Sequence, residues 1–115
     1  MLLFAVLLMG LLWSCRTLTS QTFIEPGKAF FLGDGRHGQF RARVKNQGPL
    51  GVQVEQQALG GTRQSLGILK PGETNHYELG KDTKVIFTNA GEAQATIALF
   101  VSGDTGLSMV YKDHE

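Results

Sequence analysis

Two hydrophobic patterns divide the chain. Residues 2–13, LLFAVLLMGLLW, are almost continuously apolar, with no charge and a single glycine. Further along, the pattern becomes an alternation. In QFRARVKN, Phe40, Ala42 and Val44 fall on one side, and Arg41, Arg43 and Lys45 on the other. GVQVEQ repeats the alternation with Val52 and Val54, and SLGIL places Leu66 and Ile68 together, with Leu69 at a turn. KVIFTN, ATIALFVSG and LSMVYK are rich in β-branched and aromatic residues. A period of two marks strands, because successive side chains point to opposite faces. Turn clusters at NQGP, LGG, KPGE, NAGE and SGDTG separate these segments. No segment combines a 3.6-residue period with helix caps. The pattern predicts an all-β fold, a single antiparallel β-sandwich of about 7–9 strands, Ig-like or jelly-roll-like. The expected core is Phe40, Val44, Val54, Ile68, Val85, Phe87, Ile97, Leu99 and Val101.

The first run is too short to span a bilayer. As a helix it covers about 18 Å at ~1.5 Å per residue, against a hydrocarbon core of about 30 Å. Its length suits the apolar region of a secretory leader, although no basic residue precedes it. The run ends at the only cysteine of the chain. Leu12-Trp13-Ser14-Cys15 resembles the lipobox of bacterial lipoproteins, in Leu12, Ser14 and Cys15, with Trp13 bulkier than usual. The resemblance implies that Cys15 receives a diacylglycerol, that residues 1–14 are removed, and that the new amine is acylated. The expected address is then the bacterial cell envelope. Arg16 follows the cysteine, not the Asp that retains such proteins at the inner membrane, so in a Gram-negative cell the outer membrane is expected. An ordinary secretory leader cut after Thr19 is the alternative, and it makes the protein freely secreted.

The expected organisation is a leader at residues 1–14, a polar tether at 15–22, and a sandwich domain at 23–115. Roughly 100 residues make one domain with a modest core. The net charge of the 115-residue chain is +1, but the basic residues gather before residue 46 and the acidic ones after residue 72. Neither that balance nor an exported chain suits nucleic-acid binding.

Two turns have clear mechanisms. In LKPGET, Pro71 sets φ and Gly72 supplies the positive φ of a type II turn. In VKNQGPL, Asn46, Gly48 and Pro49 end a strand. The spacing of Val44, Asn46 and Gly48 before Leu69, Pro71, Gly72 and Glu73 is similar to that of Ig-like envelope modules of the CARDB type. The resemblance implies a sandwich with assembly or adhesion duties and carries no catalytic residue.

Candidate chemistry is sparse. Gly33, Gly35 and Gly38 in GDGRHG satisfy the spacing of a dinucleotide-binding loop. That loop needs a helix after it, and QFRARVKN alternates like a strand, so a glycine-rich hairpin is expected. His37, His76 and His114 lack metal-ligand spacing. His76 and Glu78 share a strand face without a further partner for acid–base work. Asp34 and Asp104 suit glycine turns, and Ser65 lacks the surroundings of a nucleophile elbow. No catalytic residue, cofactor or metal is therefore expected. By geometry the expected interaction face is Arg41, Arg43 and Lys45, extended by Arg36 upstream. The leading expectation is a non-enzymatic envelope module, anchored to a membrane by lipid on Cys15, that binds an envelope protein or an anionic polymer. A carbohydrate-binding module is the second, with Tyr77 and Tyr111 as its candidate aromatics. A freely secreted inhibitor-like domain is the third.

Overall fold

A computed structural model describes residues 17–113. The apolar run, Cys15 and the last two residues lie outside the described residues. Nine strands follow one another: β1 (Thr17–Ile24), β2 (Lys28–Leu32), β3 (Phe40–Gly48), β4 (Val52–Ala58), β5 (Gln64–Leu69), β6 (Thr74–Leu79), β7 (Thr83–Thr88), β8 (Ala95–Gly103) and β9 (Met109–Asp113). They form two antiparallel sheets, ordered β1-β8-β3-β6 and β5-β4-β7-β2-β9. The fold is the expected all-β sandwich.

The pairings are nested. β1 lies beside β8, β2 beside β7, β3 beside β6 and β4 beside β5. The chain therefore behaves as one long antiparallel ribbon, bent back at the β4–β5 hairpin and wound so that its successive pairs fall in opposite sheets. Of the two expected topologies, this is the jelly-roll order, with β9 added beside β2.

Alternation places the core between the sheets. Phe40, Ala42 and Val44 of β3 and Ala95, Ile97, Leu99 and Val101 of β8 are buried against Val52, Val54, Val85, Phe87, Phe30 and Leu32 of the other sheet. The ring of Phe87 lies 6.3 Å from Phe30 and 6.2 Å from Tyr77. β2 and β7 are also covered on their outer side. Ala29, Phe31 and Ile86 form a second buried cluster with Val110. Arg63, Lys84 and Lys112 lay their cations over the Phe31 ring, at 5.7, 5.2 and 4.8 Å from its centre.

Four expectations are corrected. Residues 17–22 are not a tether: they form most of β1, whose whole length pairs with β8. GDGRHG is not a hairpin, because β2 and β3 belong to different sheets and the loop crosses between them. Ile68 is not core. It is 61% exposed, and Leu69 is buried in its place. The cause is local. Val54 pairs with Gly67 and Glu55 with Ser65, so Leu66 is an extra residue in a bulge and the alternation slips by one. Gly67 has φ 97°, which a residue with a side chain seldom adopts. Lastly, Tyr77, expected as an exposed aromatic, is buried. Substitution should display the slip. Leu69→Ala is expected to cost about 2–5 kcal/mol and Ile68→Ala under about 0.5 kcal/mol. Urea denaturation of both variants checks this, and equal losses would contradict the bulge.

The two sheets repeat each other's construction. The turn at residues 25–28, Glu-Pro-Gly-Lys, closes with a bond from Lys28 N–H to the Glu25 carbonyl. The turn at 70–73, Lys-Pro-Gly-Glu, closes in the same way from Glu73 to Lys70. Gly27 and Gly72 have φ 76° and 82°. Each turn docks on a buried asparagine. Gly27 N–H donates to the Asn89 carbonyl, and Gly72 N–H to that of Asn46. The carboxamides match as well. Asn46 Nδ2 donates to the carbonyls of Leu50 and Leu69, and its Oδ1 accepts from Gly48 N–H. Asn89 Nδ2 donates to Ala93 and Ile24, and its Oδ1 accepts from Gly91 N–H. Advancing each strand number by four, with the count returning from β8 to β1, turns β1-β8-β3-β6 into β5-β4-β7-β2. The fold thus carries an internal pseudo-two-fold, and β9 is the one strand without a counterpart among the described residues.

Candidate binding surface

The outer face of the four-stranded sheet follows from the same alternation. With Phe40, Ala42 and Val44 inward, β3 directs Arg41, Arg43 and Lys45 to solvent. The register sets Arg43 between His76 on β6 and Phe100 on β8. The Arg43 guanidinium lies 4.5 Å from the centre of the Phe100 ring, and Phe100 is 42% exposed. Arg41 Nε is 3.3 Å from Glu78 Oε1, with both side chains about three-quarters exposed. Such a pair contributes little to stability, so Arg41 loses little by changing partner. Among the described residues, Lys45 makes no ion pair. Thr17 and Thr19 of β1 complete a groove of ≈ 380 Å³ with Arg41, Arg43, His76 and Phe100. A second depression, of ≈ 580 Å³, reaches Phe40, Leu79 and Gly103 and shares Arg41 and Ser102 with the first.

Three of the four candidate face residues are therefore together. Arg36 precedes β3. It belongs to the crossing loop, which is pinned where His37 N–H donates to Asp82 Oδ1 at 2.8 Å and Gly38 N–H to Asp104 Oδ2 at 2.7 Å. The alternation of β3 does not extend to it.

Two aromatic residues on this face were not read from the sequence. Phe100 and Phe23 both point outward, and Phe23 is 51% exposed. The signal was present: Leu99 and Val101 face inward, so Phe100 must face outward. Thr22 and Ile24 place Phe23 in the same way.

The other candidates take structural parts. The segment after Gly38 is strand β3, not the helix that a dinucleotide loop requires. His37 contacts the Gly38 carbonyl through Nδ1 and sets its ring edge against Phe40. His76 and Glu78 do share the outer face. Among the described residues, no group of three His, Cys, Asp or Glu side chains could hold a metal ion. Ser65 Oγ accepts from Gly67 N–H, and Asp104 Oδ1 from Gly106 N–H. Asp34 pairs with Lys84 and Lys112 at 3.3 and 3.7 Å. Burial works to raise its pKa, but the two lysines outweigh it and the carboxyl sits below the ordinary Asp value. Burial also raises the phenol of Tyr77 above its usual value, with Glu73 adding to the effect and a hydrogen bond to Asn75 opposing it. Tyr111 is exposed and rests 5.3 Å from Phe30. Cys15 and His114 lie outside the described residues. No protein-family model matches the chain, and no curated protein matches it.

Proposed function

We propose that the protein is a non-enzymatic binding module of the bacterial envelope, held to a membrane by lipid on Cys15, that presents the outer face of its four-stranded sheet to an anionic partner. The observation that carries this reading is the row Arg41, Arg43 and Lys45, with Arg43 stacked over an exposed Phe100 beside a groove. Three cations face one carboxylate, Glu78, along β3 and β6. An acidic envelope polymer or a layer of anionic headgroups complements such a row. The aromatic ring supplies an apolar platform that cations alone lack.

The anchor and the face support each other. Cys15 precedes the first residue of β1 by two positions, a reach of about 7 Å. Lipid on that cysteine would hold the Thr17 end of the groove close to the headgroups. A glycan-binding reading also has support, in the outward Phe23 and Phe100, about 13 Å apart along β8 at ~3.3 Å per residue.

One experiment with two arms tests the proposal. In the first, the full chain and Cys15→Ala are expressed in bacteria and fractionated. The wild type is expected in the membrane fraction with an acylated N-terminal cysteine, and the variant unprocessed at that site. An unmodified N-terminus beginning at Ser20 contradicts the anchor. In the second, residues 16–115 and their Arg41→Glu, Arg43→Glu, Lys45→Glu variant are titrated with anionic vesicles, an acidic polysaccharide and a neutral one. The wild type is expected to bind the two anionic probes, more weakly as salt shortens the Debye length from about 10 Å at 0.1 M to about 3 Å at 1 M. Equal binding by the reversed variant would remove the face from consideration. Salt-insensitive binding of the neutral polysaccharide would favour the glycan reading.

A further inference from the structure

The internal pseudo-two-fold exposes a difference between the sheets. β2 and β6 are counterparts, since Ala29 and Thr74 each stand opposite the residue just before a corner asparagine: Thr88 before Asn89, and Lys45 before Asn46. The free side of β2 is covered by β9, which pairs along its whole length, and Gly33 N–H donates onward to the Ser108 carbonyl. The free side of β6 has no strand beside it among the described residues.

The direction of the β6 backbone groups follows from the corner. Asn46 exchanges backbone bonds with Gly72 and Glu73 on the β6 side. Even-numbered residues of β3 therefore point their N–H and C=O groups toward β6, where Phe40, Ala42 and Val44 meet Leu79, Tyr77 and Asn75. The backbone groups of Thr74, His76 and Glu78 point away from the sheet. The His76 N–H shows this directly, because it donates to the Asn75 Oδ1 of its own strand at 2.9 Å.

We propose that this edge pairs with the same edge of a second copy, β6 against β6 and antiparallel across a two-fold, to make one continuous eight-stranded sheet. Outward-pointing residues must face one another, so the register is centred on a residue. Centring on His76 sets His76 against His76 of the partner subunit. Centring on Tyr77 sets His76 against Glu78 of the partner subunit, and Glu78 against His76 of the partner subunit. The second register pairs complementary side chains twice, gives the outward C=O groups of both residues and the Glu78 N–H a partner in each copy, and exchanges the His76 N–H bond to Asn75 Oδ1 for one across the two-fold. It also joins the two outer faces, so that two rows of Arg41, Arg43 and Lys45 lie on one surface. The proposal does not depend on what that surface binds.

An edge contact of this length belongs to the weak class of interfaces, so it is read at high concentration. Residues 16–115 carry all nine strands and are measured by analytical ultracentrifugation up to ~1 mM, with circular dichroism and a denaturation midpoint for each variant. The wild type is expected to form a concentration-dependent dimer. Glu78→Lys should weaken it at least tenfold by setting Lys against His. The double variant His76→Glu, Glu78→Lys should restore it, because the swapped pair is again complementary. His76→Pro removes an outward N–H that the bond to β3 does not use, and should abolish the dimer with the denaturation midpoint unchanged. A wild type that stays monomeric throughout overturns the proposal. So does a dimer unaffected by Glu78→Lys, or one that the swapped pair fails to restore.

Discussion

A chain that begins at Phe23 is expected not to fold cooperatively, whereas one that begins at Arg16 does. Residues 17–22 provide six of the eight positions through which β1 pairs with β8. They also bring Thr22 and the partly buried Leu18 onto the core. Without them β8 becomes an edge, and the cover over Ile97, Leu99 and Val101 is opened. Domains of this size retain about 5–15 kcal/mol in all. Loss of most of a strand, with its ladder bonds at ~0.5–1.5 kcal/mol each and its buried side chains, consumes most of that margin. Urea denaturation of residues 16–115 and 23–115, followed by circular dichroism, provides the comparison. Equal midpoints would return residues 17–22 to the role of a tether.

The second large effect is expected at the asparagine corners. Asn46 and Asn89 are fully buried, and each carboxamide makes three hydrogen bonds to backbone. Alanine at either position leaves two carbonyls and one N–H without their partner. Orphaned buried groups cost about 1–3 kcal/mol each. Partial access of water at Leu50 and Ala93 reduces the sum, so each variant should lose about 3–4 kcal/mol. The two corners tie different turns, at residues 70–73 and 25–28, so their effects should add and the double variant should be unfolded at room temperature. Denaturation midpoints of the two single variants are expected to agree closely. If one proved neutral, the two corners would not be equivalent in energy as they are in geometry.

The candidate surface was partly legible. The outward placement of Arg41, Arg43 and Lys45 follows from alternation alone, because an inward Phe40 and Val44 leave them no other side. Phe100 was equally available from ATIALFVSG, because the expected core already held Leu99 and Val101 on either side of it. The setting of Arg36 was not legible. It depends on a loop held by Asp82 and Asp104, which are distant in sequence.

Local chemistry determined the strands and their inner faces wherever the alternation is strong and both faces are distinct, as in β3 and β8. It determined the turn at Pro71-Gly72, whose φ values belong to those two residues. The rest is a matter of partners. β1 reads as a polar tether because an edge strand needs few apolar residues of its own, and Ser20 and Thr22 are carried inward by the pairing with β8. Ile68 and Leu69 exchange places because a bulge against β4 shifts the register, and only the opposing strand shows the extra residue. The roles of Asn46 and Asn89 depend on carbonyls at Leu69 and Ile24, reached only after the ribbon has wound. Alternation states which side of a strand is apolar. Which strand lies beside it, and whether its outer edge is covered by β9 or left open as in β6, is decided by contacts between segments far apart in the chain.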